Sequence, residues 1–456
     1  MRWLRRGALA TLIFAACWIG AIWYWRATNR MPATGDVALY FVALPLALVF
    51  VVWLARRLPA LLTSAAAATP AVAASGDPAP PAPEAPPALA IMDAAVRLPH
   101  AQTCDELATA LADGSARPAL DATLVDDDGY PVMTVRADVQ PDPAFETDTL
   151  NWFGQQGMHD IAPTAAQWRA LGMASAVVAD VAGPAAAGYD EGAAPMLRLV
   201  ALLPPAWPRP LQAAAAQWLG HVAAQAGWPA KQMHVEIAPP APVPALLQRL
   251  AEGGAPYLAL VVACDSHLAQ ADIDDWSNAG TLFTARHPQG LIPGEGAAAL
   301  LLADPASAGR AMHTVLHAPA GARLDQSADI ARRVDSVPLS TLIDQAVARA
   351  GTTAGTIALV IADSSQRVNR VLEVAGALGA ALPHLDAGDD VLTVGAASGA
   401  CGAVPLLAAL ALAHQQAHER GAPVLCLGNE DPFDRCAAVV GPVAFVPLSI
   451  SSESAR

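Results

Sequence analysis

Two apolar runs joined through a Gly-Glu-Gly loop constrain this chain more than any other feature. The first, Pro256-Tyr257-Leu258-Ala259-Leu260-Val261-Val262-Ala263-Cys264-Asp265-Ser266, reads as a strand that closes in a small polar turn. The second, Leu291-Ile292-Pro293-Gly294-Glu295-Gly296-Ala297-Ala298-Ala299-Leu300-Leu301-Leu302, opens in a loop and continues as a strand. Neither strand alternates polar with apolar residues. Both faces of each must therefore be covered, as in a sheet held between layers of helix.

The surrounding chain supplies such layers. Leu197 to Leu203, Met233 to Ile237 and Tyr257 to Ala263 read as strands, with helices over Pro210 to Ala226 and Pro244 to Glu252 between them. Further strands end at Leu302 and begin at Met312. A second block repeats the order: helix Leu339 to Ala350, strand Thr356 to Ala362, helix Val368 to Leu378, strand Val391 to Gly395, an Ala-rich helix Ala403 to Glu419 and strand Val424 to Gly428. The two β-α-β-α-β blocks predict a duplicated α/β layered core, with halves over 195–335 and 336–456. The stretch 90–194 before them is less regular. It predicts a short helix from Asp105 to Ala112, a hairpin or a strand behind an acidic turn over Leu124 to Val135, and a helix from Ala165 to Leu171. Asp126-Asp127-Asp128 reads as that turn, because a calcium loop needs alternating oxygens and a distant Glu that this run does not supply.

At the N-terminus, Ala8 to Trp25 and Val37 to Ala55 each approach the roughly 20 apolar residues of a membrane-crossing helix. Arg2, Arg5 and Arg6 precede the first run, and Arg56 and Arg57 follow the second. This pattern predicts a two-helix membrane hairpin over 1–61 with both ends cytoplasmic. Residues 62–89, rich in Ala and Pro, form a tether. The net charge of −15, with no basic stripe, excludes nucleic acid as a partner. The six cysteines include no C-x-x-C pair and read as free thiols in a reducing compartment. His414-Gln415-Gln416-Ala417-His418 has metal-ligand spacing without the Glu of a zinc helix, and reads as a solvated helix end. No cofactor and no metal are expected.

The segment from Leu258 to Leu302 resembles the β-ketoacyl synthase branch of the thiolase fold, where a strand, a Gly-Glu-Gly loop and a closing strand follow one another. Val360-Ile361-Ala362-Asp363-Ser364-Ser365-Gln366 and Thr393-Val394-Gly395-Ala396-Ala397-Ser398-Gly399-Ala400-Cys401-Gly402-Ala403 stand where that family carries two histidine motifs. The resemblance covers Pro195 to Val443, with Pro293, Gly294, Glu295 and Gly296 as its fold-marker loop. It implies a thiolase-like core that pairs as a homodimer through a central strand, and Glu295 in a structural role.

The family's catalytic set does not carry over. Its nucleophilic Cys lies at a strand-helix junction upstream of the Leu258 strand, yet no cysteine stands between Cys104 and Cys264. Asp363 takes the position of the first histidine and residues near Ala396 that of the second. Without thiolate and imidazoles, acyl transfer lacks its nucleophile and its oxyanion partners. Cys264, beside Asp265, Ser266 and His267, and Cys401, before a helix start, are the candidates for a displaced nucleophile. A small core residue is the alternative for each.

The layout of a hydrophobic N-terminal region before a large Ala-rich domain, with Asp128-Gly129-Tyr130-Pro131-Val132 and the Pro293 loop, is similar to the lipase adaptors of type VI secretion. That resemblance implies a non-catalytic adaptor or chaperone in the bacterial inner membrane, its large domain cytoplasmic. Its partner would be an effector lipase, such as a phospholipase, or a secretion component. The alternatives are an acyl-transferring synthase using Cys264 or Cys401, and a membrane scaffold for lipid or polyketide assembly.

Overall fold

The computed structural model describes residues 88–443, apart from 138–141, 190–193, 240, 254–257, 306–307, 309–313 and 332. The membrane hairpin and all but the end of the tether lie outside the described residues.

The two apolar runs form β6 (Leu258–Ser266) and β7 (Glu295–Ala303), antiparallel neighbours paired from Leu258 with Ala303 to Ser266 with Glu295. Every residue of both strands is buried. Ala259, Val261 and Ala263 of β6 face one apolar cluster, whereas Leu258, Leu260, Val262 and Cys264 face another. The unbroken hydrophobicity of the runs is thus the signature of a strand covered on both sides.

A single mixed sheet contains both halves. Its first block is β5-β4-β6-β7-β1, with β1 (Ala88–Arg97), β4 (Leu197–Leu202) and β5 (Met233–Ile237). Its second is β11-β10-β12-β13-β8, with β8 (Thr314–His317), β10 (Leu359–Ala362), β11 (Val391–Thr393), β12 (Val424–Gly428) and β13 (Asp434–Pro442). β4 runs parallel to β5 and β6, and β10 runs parallel to β11 and β12. The remaining pairs in each block are antiparallel. The duplication is therefore carried by strand order and sense. β1 and β8 join the blocks antiparallel, and β9 (Ala320–Arg323) adds to β13.

Two boundaries differ from the sequence reading. β1 starts in the last two residues of the 62–89 tether, runs into the irregular 90–194 stretch and completes the first block, and β8 belongs to the second block although it precedes residue 336. β1 escaped notice because Asp93 interrupts its apolar run, where the register shifts between Ile91 and Asp93.

The helices make three layers around the two half-sheets. Between the half-sheets lie α1 (Cys104–Asp113), α5 (Val243–Glu252) and α10 (Val404–Arg420), whose Leu107, Leu247 and Leu407 share one cluster with Val261, Leu300, Ile361 and Val440. The first half-sheet is covered outside by α3 (Ala165–Ala187) and α4 (Arg209–Gln225), and the second by α7 (Val337–Arg349) and α8 (Val368–Ala381). The order α-β-α-β-α positions the strand ends of both halves around the central helices.

Capping fixes the helix starts. Thr164 and Gln167 form a reciprocal capping box on α3, and Thr103 accepts from the Glu106 amide at α1. α3 continues well past Leu171, where the sequence reading stopped. Among the described residues it is the one helix long and apolar enough to cross a membrane, yet it packs on β1, β6 and β7. Outside it, α2 (Pro143–Gln155) brings Phe145 and Trp152 edge-on to Trp218 of α4, with ring centroids 5.9 and 5.5 Å apart.

β2 (Ala119–Val125) and β3 (Pro131–Thr134) form the expected hairpin. Asp126 accepts from the amides of Asp128 and Tyr130, and Gly129 takes φ 79°, so the acidic run is its turn. Its flank is closed by α6 (Gln270–Asn278), whose Ser277 donates to Asp127 at 2.6 Å.

Candidate functional site

In open and layered α/β sheets, chemistry gathers at the carboxyl ends of parallel strands. In the first half that place is the junction from β5 to the central helix α5. Its sequence is Ala238-Pro239-Pro240-Ala241-Pro242, which contains no nucleophile and no side-chain hydrogen-bond donor. Pro242 caps α5 without a side-chain hydrogen bond.

The corresponding junction of the second half runs from β11 through the short helix α9 (Gly395–Ser398) to α10. Here the structure brings together several residues singled out from the sequence. Pro293 bridges Ala400, the Ala400 amide donates to Ile292, and the Gly294 carbonyl accepts from the His267 amide. A Cβ on Gly294 would collide with the Ser398 carbonyl oxygen, and Gly399 adopts φ 63° directly beneath it. The fold-marker loop and the loop bearing Ala396 and Cys401 are thus one packed unit, closed by glycines.

Glu295 is fully buried in this unit. Its carboxylate accepts from the Ala137 amide at 2.7 Å, from Arg169 Nε at 2.7 Å and from Ser266 Oγ at 3.3 Å, and a second Arg169 nitrogen pairs with it. Arg169 also donates to the Ala137 carbonyl at 2.8 Å. With its oxygens engaged on three elements, Glu295 clamps α3 and the 135–137 segment to the start of β7.

Asp265 lies against Gly402, the residue after Cys401. It pairs with His267, whose ring stands 4.8 Å from that of Trp276. Burial lowers the His267 pKa, but hydrogen bonds and charges from Asp265 and Asp272 outweigh it and raise the pKa to about 10. The ring is a fixed cation, unsuited to accept a proton from a neighbouring thiol.

Both candidate cysteines are buried. Cys264 points to the outer layer, and burial with the nearby Asp265 charge pushes its thiol well up. Cys401 is fully buried in the central cluster, where burial and Asp265 push its thiol far above the ordinary range. Its Sγ donates to the carbonyls of Ser398 and Gly399. Both sit among core residues, where burial disfavours the thiolate.

The two positions matched to the family histidines lie side by side. Gly395, beside Ala396, packs on the backbone of Asp363 and Ser364. Asp363 Oδ1 accepts from the amides of Asn429 and Glu430 at 2.8 and 3.0 Å, so the carboxyl holds the turn after β12. Burial and the Glu430 charge raise its pKa to about 7, against the lowering effect of those two amides. Around it extends a polar network that sequence reasoning missed. Ser365 donates twice to Glu430, and Arg367 bridges Glu430 and Asp329. Arg370 also binds Asp329, while Glu373 accepts from Arg435 and Asn429. Charged residues in a sequence read as surface, and nothing local marks Arg367, Arg370 and Glu373 as buried.

The histidine pair of α10 divides. His414 Nδ1 lies 2.8 Å from Thr314 Oγ1, and His418 falls in the last turn before Gly421. Among the described residues no group of His, Cys, Asp and Glu has the geometry to hold a metal ion.

Several solved ketosynthases resemble this chain. A type II polyketide ketosynthase in complex with its acyl-carrier protein matches with TM-score 0.55 at 13% identity, over 78% of this chain and 100% of that one. An oxazolomycin ketosynthase domain from Streptomyces albus JA3453 gives TM-score 0.54 at 12% identity, over 78% and 74% of the two chains. The module 6 ketosynthase of the bacillaene synthase from Bacillus subtilis 168 gives 0.53 at 14%, over 78% and 72%. No protein-family model and no curated protein matches. At such identities the likeness is one of fold, and the core is thiolase-like, of the ketosynthase kind.

Proposed function

We propose that this chain is a non-catalytic ketosynthase-fold protein that acts by binding a protein partner. The observation that carries this reading is the occupation of the catalytic positions. The β5-α5 junction is Ala and Pro, Asp363 is committed to two backbone amides, and Ala396 stands beside it. The protonated, buried thiols of Cys264 and Cys401 support the same view.

In the narrower form supported by the sequence layout, the protein is an adaptor or chaperone held in the bacterial inner membrane by its N-terminal hairpin. Its cytoplasmic domain loads a type VI secretion effector such as a phospholipase. The deciding experiment combines two measurements on the full chain. Incubation with acyl-thioester-loaded carrier protein is expected to leave every cysteine unacylated by intact mass, whereas affinity purification from the native host is expected to retain a lipase encoded nearby. Acylation of Cys264 or Cys401 refutes the non-catalytic reading. Absence of the lipase from the purified complex refutes the adaptor reading.

A further inference from the structure

Helix α8 buries Val374, Ala377 and Leu378 against the sheet, but its charges are inside and apolar residues cover its outer face. Its charged residues Arg370 and Glu373 are 1% and 4% exposed, whereas Val368, Val371 and Leu372 are 55%, 44% and 53% exposed. The usual surface helix shows the opposite arrangement. Every exposed residue of α8 is uncharged and apolar or glycine, and Val368, Leu372, Ala375 and Gly379 follow one stripe at helical spacing. The segment before α7 lengthens the patch. Asp329 is held by Arg367 and Arg370, Asn369 donates to the Ala328 carbonyl, and Ser336 packs on Gly376, which lays Ile330, Val334 and Val337 beside α8 with their side chains exposed.

The duplicated architecture shows what such a helix ordinarily meets. In the first half the helix between β4 and β5 is α4, and α2 covers it through Phe145 and Trp152 packed on Trp218. Its counterpart between β10 and β11 is α8, with no described helix laid on the stripe. We propose that the α8 of a second copy of this chain covers it, antiparallel across a two-fold axis passing near Ala375.

The stripe is self-complementary, as a two-fold interface requires. Its N-terminal end carries the large side chains Val368, Val371 and Leu372, and its C-terminal end the small residues Ala375, Gly379 and Ala380. Antiparallel pairing sets the bulky end of each helix into the small-residue end of the other. No charge on the exposed side of α8 meets its own image. The six large apolar side chains of the patch expose on the order of 500 Å², at the upper end for a monomer. Two copies face to face cover about 1,000 Å², the threshold for a specific interface. A lipid surface fits less well, since exposed Arg333 stands beside exposed Asp335 at the edge of the patch, which leaves no one-signed basic rim for anionic headgroups.

The test uses the full chain in a mild detergent. Sedimentation is expected to give an oligomer whose mass halves in Leu372→Glu, with the circular dichroism of the wild type because the side chain is exposed. Ala375→Cys, at the axis, is expected to form an intermolecular disulfide under mild oxidation. A monomeric wild type, an unchanged mass for Leu372→Glu, or an Ala375→Cys chain that does not crosslink overturns the proposal. An assembly built on the β5 edge alone gives the second and third of these results.

Discussion

Replacement of Glu295 by Ala is expected to be the most damaging single change in the central loop unit. The carboxylate is fully buried and Arg169 nearly so, with their side chains 0% and 10% exposed. Truncation takes this carboxylate from the Arg169 guanidinium, the Ala137 amide and the Ser266 hydroxyl. Removing one partner of a buried pair costs about 3–5 kcal/mol. Against a total stability of about 5–15 kcal/mol, that is a fifth or more. Replacing both partners by apolar residues of similar size, Glu295→Leu with Arg169→Met, is expected to recover most of the loss, because neither charge is then stranded. The assay is urea unfolding followed by tryptophan fluorescence, which reads Trp168 on the same helix as Arg169. A single variant within about 1 kcal/mol of wild type, or a double variant no better than the single, refutes the clamp argument.

Three other outcomes follow from the geometry. Asp363 has a folded-state pKa above that of an unfolded carboxyl, so its contribution to stability is full below about pH 4 and is lost as pH rises through about 7. Asp363→Asn is expected to lack this loss, on the order of 4 kcal/mol, in unfolding measured from pH 4 to 8. The raised pKa of His267 contributes stability that is full below about pH 6.5 and disappears as pH rises through about 10. In His267→Gln the alkaline part of the stability profile should flatten by about 2–4 kcal/mol. Trp218→Ala removes the ring on which Phe145 and Trp152 pack and the bond from its Nε1 to Ser175 Oγ. A loss of about 3–5 kcal/mol is expected, with faster amide exchange in α2.

Much of the core was legible because its strands are covered on both sides. β6, β7 and β12 announce themselves as apolar runs, and β5 and β12 were bounded to the residue. β1 and β13 were missed for different reasons. Asp93 breaks the pattern of the first, and Asp434 and Arg435 open the second with charges. The Pro293 to Gly296 loop was legible as a marker, and Gly294 shows why: only a residue without a Cβ fits beneath Ser398. Its partner Arg169 was not, since 126 residues separate it from Glu295 and nothing local marks an arginine as buried. The same holds for Arg367 and Arg370, whose counter-ion Asp329 comes from a distant loop, and for Arg435, whose counter-ion Glu373 comes from α8.

The place of β1 also sets the order of events during synthesis. This strand leaves the ribosome early among the described segments, but its partners are residues 297–303 of β7 and 314–317 of β8. Translation of the two hundred or so intervening residues takes about 10–40 s. Throughout that time β1 is an apolar segment with unpaired edges, and the first half-sheet lacks the strand that joins it to the second. The nascent chain is therefore most open to chaperones, and to mispairing, until β8 emerges.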